Sequence, residues 1–215
     1  MVGEIFALTD AQRAYQQIKE RIITTAMQPG AVIQEADLMS ELGLGRTPVR
    51  EALKLLEAEN LVVVSPRRGI FVADVALTDL LHVQEIRLEL DPLTARLAVQ
   101  RARPDEVDEM RRLITEAKEC ECSGDPQALL AIDRQLHAVL REAAHNRLLA
   151  DECEMLFNLS LRIWYLFIHR LEPQHLAEDA FDEIIEAITT GNVAQADRAM
   201  RRHIVSFGDS IKLIL

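Results

Sequence analysis

Two groups of residues in this 215-residue chain have the types and spacing to do chemistry. The first is cationic. Arg46, Arg50 and Lys54 recur every four residues, which sets three basic side chains on one helix face while Val49, Leu53 and Leu56 fill another. Arg46 and Arg50, early in that helix, are placed to give paired hydrogen bonds to guanine O6 and N7 in a major groove, and Thr47 and Lys54 suit phosphate. Arg67, Arg68 and Gly69 sit between two β-branched runs, where a turn would offer them to DNA backbone or minor groove. The second group is titratable. Leu130, Asp133, His137, Leu140 and Ala144 step by three and four, so Asp133 and His137 share an apolar stripe. His203 does the same in the series Ala196, Met200, His203, Phe207, Ile211. Ionisable groups turned into a helical core are costly unless paired or metal-bound. A carboxylate and two imidazoles converging there make a set for a divalent transition metal such as zinc or nickel, or a hydrogen-bonded Asp–His cluster.

The elements that must position these groups follow from periodicity. Tyr15, Ile18, Ile22 and Ala26 predict a support helix over 11–26, closed by Gln28-Pro29-Gly30. Residues 35–57 read as two short helices around a turn at Gly43 and Gly45, with Leu38 and Leu42 as the apolar edge of the first. Thr47-Pro48 is expected to cap and start the second. Asn60 ends it. The runs 61–65 and 70–73 then form a hairpin about Pro66-Arg-Arg-Gly69. Three helices and a β-hairpin make a winged helix-turn-helix over residues 1–76. From residue 77 onward the pattern is helical, with helices at about 78–101, 104–122, 126–144, 147–170, 176–190 and 193–214. The first carries the apolar series Val83, Ile86, Leu90, Leu93, Leu97 and a bend at Pro92. The fold class is therefore mainly α: an N-terminal winged helix with a small β wing, and a C-terminal all-α antiparallel bundle over 77–215.

Composition sets bounds on function. Hydrophobic residues make up 49% of the chain, enough for a sizeable core. No run approaches the roughly 18 apolar residues of a membrane span, and no basic-then-apolar leader opens the sequence, so a cytoplasmic protein with no membrane partner is expected. Cys120, Cys122 and Cys153 are an odd number without metal spacing, and read as plain thiols. The net charge of −11 disfavours nucleic acid as a whole, but it is unevenly spread. Residues 1–76 hold eight basic and ten acidic residues, which leaves a net −9 for the remainder. A local patch at Arg46, Arg50, Lys54, Arg67 and Arg68 decides binding more than the total does.

The run from Leu38 through Gly43-Leu-Gly-Arg-Thr-Pro-Val-Arg-Glu-Ala-Leu53, with the Arg67-Arg-Gly-Ile-Phe-Val72 wing, resembles the winged helix of GntR-family bacterial transcription regulators. The second part is similar to the ligand-sensing domain of the family's FadR branch, through 85–98, 133–146 and Ala199-Met-Arg-Arg-His203. The resemblance implies a homodimeric repressor or activator on double-stranded DNA with a palindromic operator, controlled by a small-molecule effector such as an organic acid. Gly45 replaces the family's capping Ser or Thr, and Ala36 an arginine that contacts DNA in some relatives. Metal-binding members add a histidine on the next-to-last helix to positions matching Asp133, His137 and His203. Phe181 stands there, so three of four ligands remain. Phe181 and Arg87 would line the effector cavity with the same three residues. Arg87 suits a carboxylate or phosphate, or forms a salt bridge with a helix neighbour. Two other classes stay in view. A metal-dependent hydrolase would use Asp133, His137 and His203 but lacks a general base. A winged helix that binds protein fits the acidity but not Arg46 and Arg50.

Overall fold

The computed structural model describes residues 8–123, 125–167 and 180–212. They form two compact units, divided between Ala76 and Leu77.

In the first unit, α1 (Asp10–Ile23) opens on a capping box in which Thr9 and Gln12 satisfy each other's backbone. It stops at Ile23, earlier than expected, because the chain turns at Thr24 and at Thr25, whose φ is 59°. Helix α2 (Glu35–Leu42) ends on Gly43 in the left-handed conformation, φ 64°, which L side chains rarely adopt. Helix α3 (Arg46–Ala58) starts one residue before Thr47, with Gly45 as its N-cap and no side-chain cap hydrogen bond. Thr47 is therefore not the cap. It lies in the first turn with its side chain exposed. Ile18, Ile22, Leu38, Val49, Leu53 and Leu56 are buried together as the unit's core. The wing has a third strand that the sequence did not signal. β1 (Val32–Ile33) pairs antiparallel with β3 (Gly69–Val72), and β3 pairs antiparallel with β2 (Val62–Ser65), giving the order β1-β3-β2. Two residues are too few to show a period-2 pattern.

The second unit is all-helical among the described residues: α4 (Leu77–Arg101), α5 (Pro104–Ser123), α6 (Pro126–Ala143), α7 (Arg147–Phe167), α8 (Ala180–Thr190) and α9 (Val193–Lys212). The break expected at Glu172-Pro173 and the helix ends around it lie outside the described residues. Its core draws on α4, α5, α6, α8 and α9, with Met110, Leu113, Leu140, Ile184 and Met200 fully buried. The inward stripe of α4 is not the one its leucines suggested. Leu80, Val83, Arg87, Asp91, Thr94 and Ala98 are buried, whereas Ile86 is 48% exposed and Leu90, Leu93 and Leu97 are half-buried. Helix α4 runs unbroken through Pro92. Proline has no N–H to give to the Leu88 carbonyl one turn back. That carbonyl is satisfied from another helix: Arg201 Nη1 of α9 donates to it at 2.6 Å. Asp197 holds Arg201 and Arg96 in place.

Candidate functional site

The cationic group lies where the winged helix was expected to carry it. Arg46, Thr47, Arg50 and Lys54 are exposed along α3, and Arg67, Arg68 and Gly69 are exposed at the wing tip. Arg67 has φ 63°, and Gly69 has φ 117°. The three-residue connection between Ser65 and Gly69 thus turns through a left-handed arginine whose side chain stands in solvent. Charge pairing separates these residues. Of the eight Lys/Arg in the first unit, Arg13, Lys19, Arg21 and Arg50 hold carboxylates: Asp10, Glu59, Glu41 and Glu35. Among the described residues, Arg46, Lys54, Arg67 and Arg68 make no ion pair and no side-chain hydrogen bond. Arg50 Nε lies 3.0 and 2.9 Å from the two oxygens of Glu35, at the start of α2. With no side chain capping α3 at Gly45, the first amides of that helix also remain available to an anion.

The titratable group converges as the stripes predicted. Helix α6 starts sharply because Asp125 caps it, accepting from Gln127 N and Ala128 N, with Pro126 in its first turn. That start fixes the phase on which Asp133 and His137 face inward. His137 Nε2 and His203 Nε2 are 3.1 Å apart, and Asp133 Oδ1 is 3.8 Å from the first and 3.9 Å from the second. Asp133 is thus too far to hydrogen-bond either imidazole. A triangle with these sides has a point about 2.1 Å from all three corners, the distance at which zinc takes imidazole nitrogen and carboxylate oxygen. The three residues could hold a divalent metal, and the two imidazoles are also within hydrogen-bond distance of each other. Burial holds the His137 imidazole well below its usual range, reinforced by His203, Arg87 and Arg141, so its lone pair is not protonated away. Burial pushes the Asp133 carboxyl up, against the pull of His203, Arg87 and Arg141.

Aromatic rings wall this cluster. Phe181 of α8 meets His137 edge-on with ring centroids 5.1 Å apart, and His203 at 5.3 Å. Phe157 of α7 lies 4.5 Å from His137. Phe181 therefore sits beside both imidazoles without offering a ligand atom. His145, at the turn after α6, is exposed and contacts Glu106 at 3.2 Å, away from the cluster. His175 lies outside the described residues. Arg87 is buried, but both Nε and Nη2 lie on Asp91 Oδ2, at 2.9 and 2.8 Å. The helix-neighbour salt bridge is the arrangement it adopts, so its fork is not free for an effector. Sequence reasoning missed Arg141. It lies one turn beyond His137 on α6, is 9% exposed, and lines with His137, Asp91 and Thr94 a cavity of about 10 Å³. Its spacing of four from His137 was a signal available in the sequence.

Two family models match. Residues 10–72 match the bacterial regulatory proteins of the gntR family, and residues 82–206 match the FCD domain. The chain is a GntR-family regulator with an FCD domain. A transcriptional regulator in an unstable DNA locus of Streptomyces ambofaciens is 30% identical over 213 residues, which are 96% of this chain and 86% of the relative. The repressor GlaR of Escherichia coli is 27% identical over 89% of this chain and 91% of its own length. The solved structure of Escherichia coli McbR/YncC superposes with a TM-score of 0.81 at 20% identity, over 94% of this chain and 98% of that one. This GntR-family chain is accordingly a DNA-binding transcription regulator whose FCD domain takes a small-molecule effector, and not an enzyme. The hydrolase and protein-interaction alternatives are set aside.

Proposed function

We propose that this GntR-family regulator acts as a homodimeric repressor in the cytoplasm. Its 1–76 domain would read a palindromic operator, and its 77–215 domain would release that operator when a small organic acid binds. The observation that carries the DNA-reading half is the pairing pattern of the first unit. Its four basic side chains without a carboxylate, Arg46, Lys54, Arg67 and Arg68, lie on α3 and the wing tip. Arg46 and Arg50 are assigned to base edges, and Thr47, Lys54, Arg67, Arg68 and the Gly69 backbone to phosphate or minor groove. The exposed Ile86 and the half-buried Leu90, Leu93 and Leu97 on α4 support a self-association face.

In the second domain, Asp133, His137 and His203 would hold one divalent ion, zinc or nickel, with Phe181 closing the side where a fourth protein ligand would stand. The ion would supply a Lewis-acidic anchor for an effector oxygen. The chain's own residues do the rest. Asp133 and His137 keep one face of α6 turned inward, Phe157 and Phe181 exclude water, and the Arg87–Asp91 pair fixes the inner side of α4. Effector binding would shift the population away from conformations in which two winged helices span their half-sites.

Native mass spectrometry of untagged protein purified without chelator, run beside salt-dependent binding to operator DNA recovered by in vitro selection, tests both halves. A dimer with one divalent ion per subunit and an affinity that falls steeply with salt is expected. A dimer that takes up no added zinc or nickel removes the metal. Salt-independent DNA binding removes the cationic interface.

A further inference from the structure

Among the described residues, no strand pairs with the outer side of β2. In the order β1-β3-β2, β1 closes one side of the wing sheet with two residues and β2 closes the other with four. The groups that β2 turns outward follow from its neighbours. Ala73 N donates to the Leu61 carbonyl, while Val72, opposite Val62, gives its N–H to Ala31 on the far side. In an antiparallel pair these roles alternate, so Leu61, Val63 and Ser65 face β3, and Val62 and Val64 turn their N–H and C=O groups away from it. Among the described residues, those four groups have no backbone partner. Strand edges are normally blunted by a lysine, a proline or a bulge. Val62-Val63-Val64-Ser65 has none of them.

One face of the sheet adds an apolar row. Val32 of β1 and Val63 of β2 both stand opposite Phe71 of β3, which sets three apolar side chains side by side across the strands. Val32 is 55% exposed and Val63 49%. None of the three belongs to the cationic surface of α3 and the wing tip. The two ends of β2 carry opposite charges. Glu57, in the last turn of α3, is exposed shortly before the strand and makes no ion pair among the described residues, and Arg67 and Arg68 follow it.

We propose that this edge docks against the same edge of a second copy, joining two wings into one six-stranded antiparallel sheet. The backbone sets the alignment. Val62 opposite the second copy's Val64 satisfies every outward group of both strands in four hydrogen bonds, whereas a shift of two residues either way leaves half of them unmet. Val63 then meets its own counterpart as the closely spaced, non-hydrogen-bonded pair, with Cα atoms about 4.5 Å apart. The apolar row runs on from one copy into the other. Because the strands are antiparallel, the Arg67-Arg68 end of each copy lies toward the Glu57 end of the other. An unrelated strand would match the backbone but not these charges. Arginines engaged with glutamate are withheld from phosphate, so DNA and the second copy compete for the wing. That competition rests on the reading of the wing as a DNA contact, and the docking does not.

Single cysteines in the full-length protein test the docking, with oxidised glutathione as the oxidant and wild type, with its three native cysteines, as the background. Val63→Cys should give a symmetric disulfide between copies, identified by mass spectrometry of the joined peptide. Val64→Cys is nearly as exposed, at 45%, but lies out of alignment with its own counterpart, beyond the roughly 7 Å between Cα atoms that a disulfide spans. Val63→Cys should therefore cross-link about tenfold faster or more. Equal rates would mean random collision and overturn the proposal. Val64→Pro, added to Val63→Cys, removes an N–H that the wing's own sheet does not use. It should slow the disulfide at an unchanged melting temperature, and an undiminished disulfide overturns the backbone pairing. If that variant melts lower, Glu57→Arg replaces it and should slow the disulfide by setting like charges together. Excess operator duplex recovered by in vitro selection should suppress the Val63→Cys disulfide. A disulfide that persists on protein shown by anisotropy to be DNA-bound overturns the competition. A protein that binds no duplex yet still cross-links removes the DNA reading and leaves the docking standing.

Discussion

Arg50 of α3 places its Nε between the two carboxylate oxygens of Glu35 on α2, 3.0 and 2.9 Å away, so the residue assigned to a base edge is held by its own domain. Reading a guanine means exchanging one acceptor for another. Arg50→Ala should lose about 1–3 kcal/mol of discrimination at one base position, whereas Arg68→Ala should weaken binding to operator and scrambled duplex alike. Glu35→Gln, which frees Arg50, should tighten binding to scrambled DNA more than to operator. Fluorescence anisotropy on both duplexes decides. Equal losses for Arg50→Ala on the two would move it to the phosphate backbone.

The staple between Arg201 and the Leu88 carbonyl is open to a double-mutant cycle. Arg201→Ala strands a carbonyl that Pro92 already deprives of its helix partner, and should cost about 1–3 kcal/mol in chemical denaturation. Pro92→Ala restores the N–H. In the Arg201→Ala background it should return most of that loss. If the two effects simply add, the carbonyl has found water and the staple contributes little.

Phe181 stands edge-on to both imidazoles, within reach of a metal that they would share. Phe181→His should complete a four-ligand set and tighten zinc binding by about tenfold or more. His203→Ala should abolish it. Competition against a fluorescent chelator measures both, and an unchanged affinity for Phe181→His would mean that the new ring cannot turn toward the ion.

On the first unit, Tyr15 donates to Glu59 and accepts from Lys19 Nζ at 2.6 Å, while Lys19 pairs with Glu59 at 2.9 Å. Burial, with the Glu59 hydrogen bond, pushes the Tyr15 phenol up to about 12. The folded state therefore keeps this proton after the unfolded chain has released it. The stabilisation is complete below pH of about 10 and is lost as pH rises toward 12. Unfolding midpoints should fall through that window in wild type and fall less in Tyr15→Phe. An absorbance titration near 295 nm should show one late phenol, absent from Tyr15→Phe.

Much of this was legible in the sequence. A period near 3.6 assigns residues to faces, and it placed Arg46, Arg50 and Lys54 on one face of α3 and Asp133, His137 and His203 on inward stripes. It does not say what lies opposite a face. Glu35 opposite Arg50, Arg141 turned into the cavity and Phe157 against His137 are all tertiary facts. On α4 the same reasoning chose the wrong stripe. That helix packs on more than one side, so its leucines mark a half-buried flank, while the innermost face carries Arg87, which the resemblance had turned toward the effector cavity, together with Asp91 and Thr94, residue types that pattern reading assigns to solvent. The cap was misplaced by two residues, at Thr47 and not Gly45, because a glycine cap leaves no side-chain signature.

Pro92 has a consequence for how the second unit transmits force. The middle turn of α4 borrows its missing hydrogen bond from Arg201, and Arg201 stands two residues before His203 on α9. One end of that short segment grips a carbonyl in α4 and the other closes on His137. The proline thus makes a joint whose stiffness is set from outside the helix that contains it. Whatever draws His203 toward its neighbours tightens the joint, and deuterium uptake at residues 86–96 should slow when zinc is added and recover with chelator. The sensor would then be wired to the long helix at the one turn that cannot hold itself.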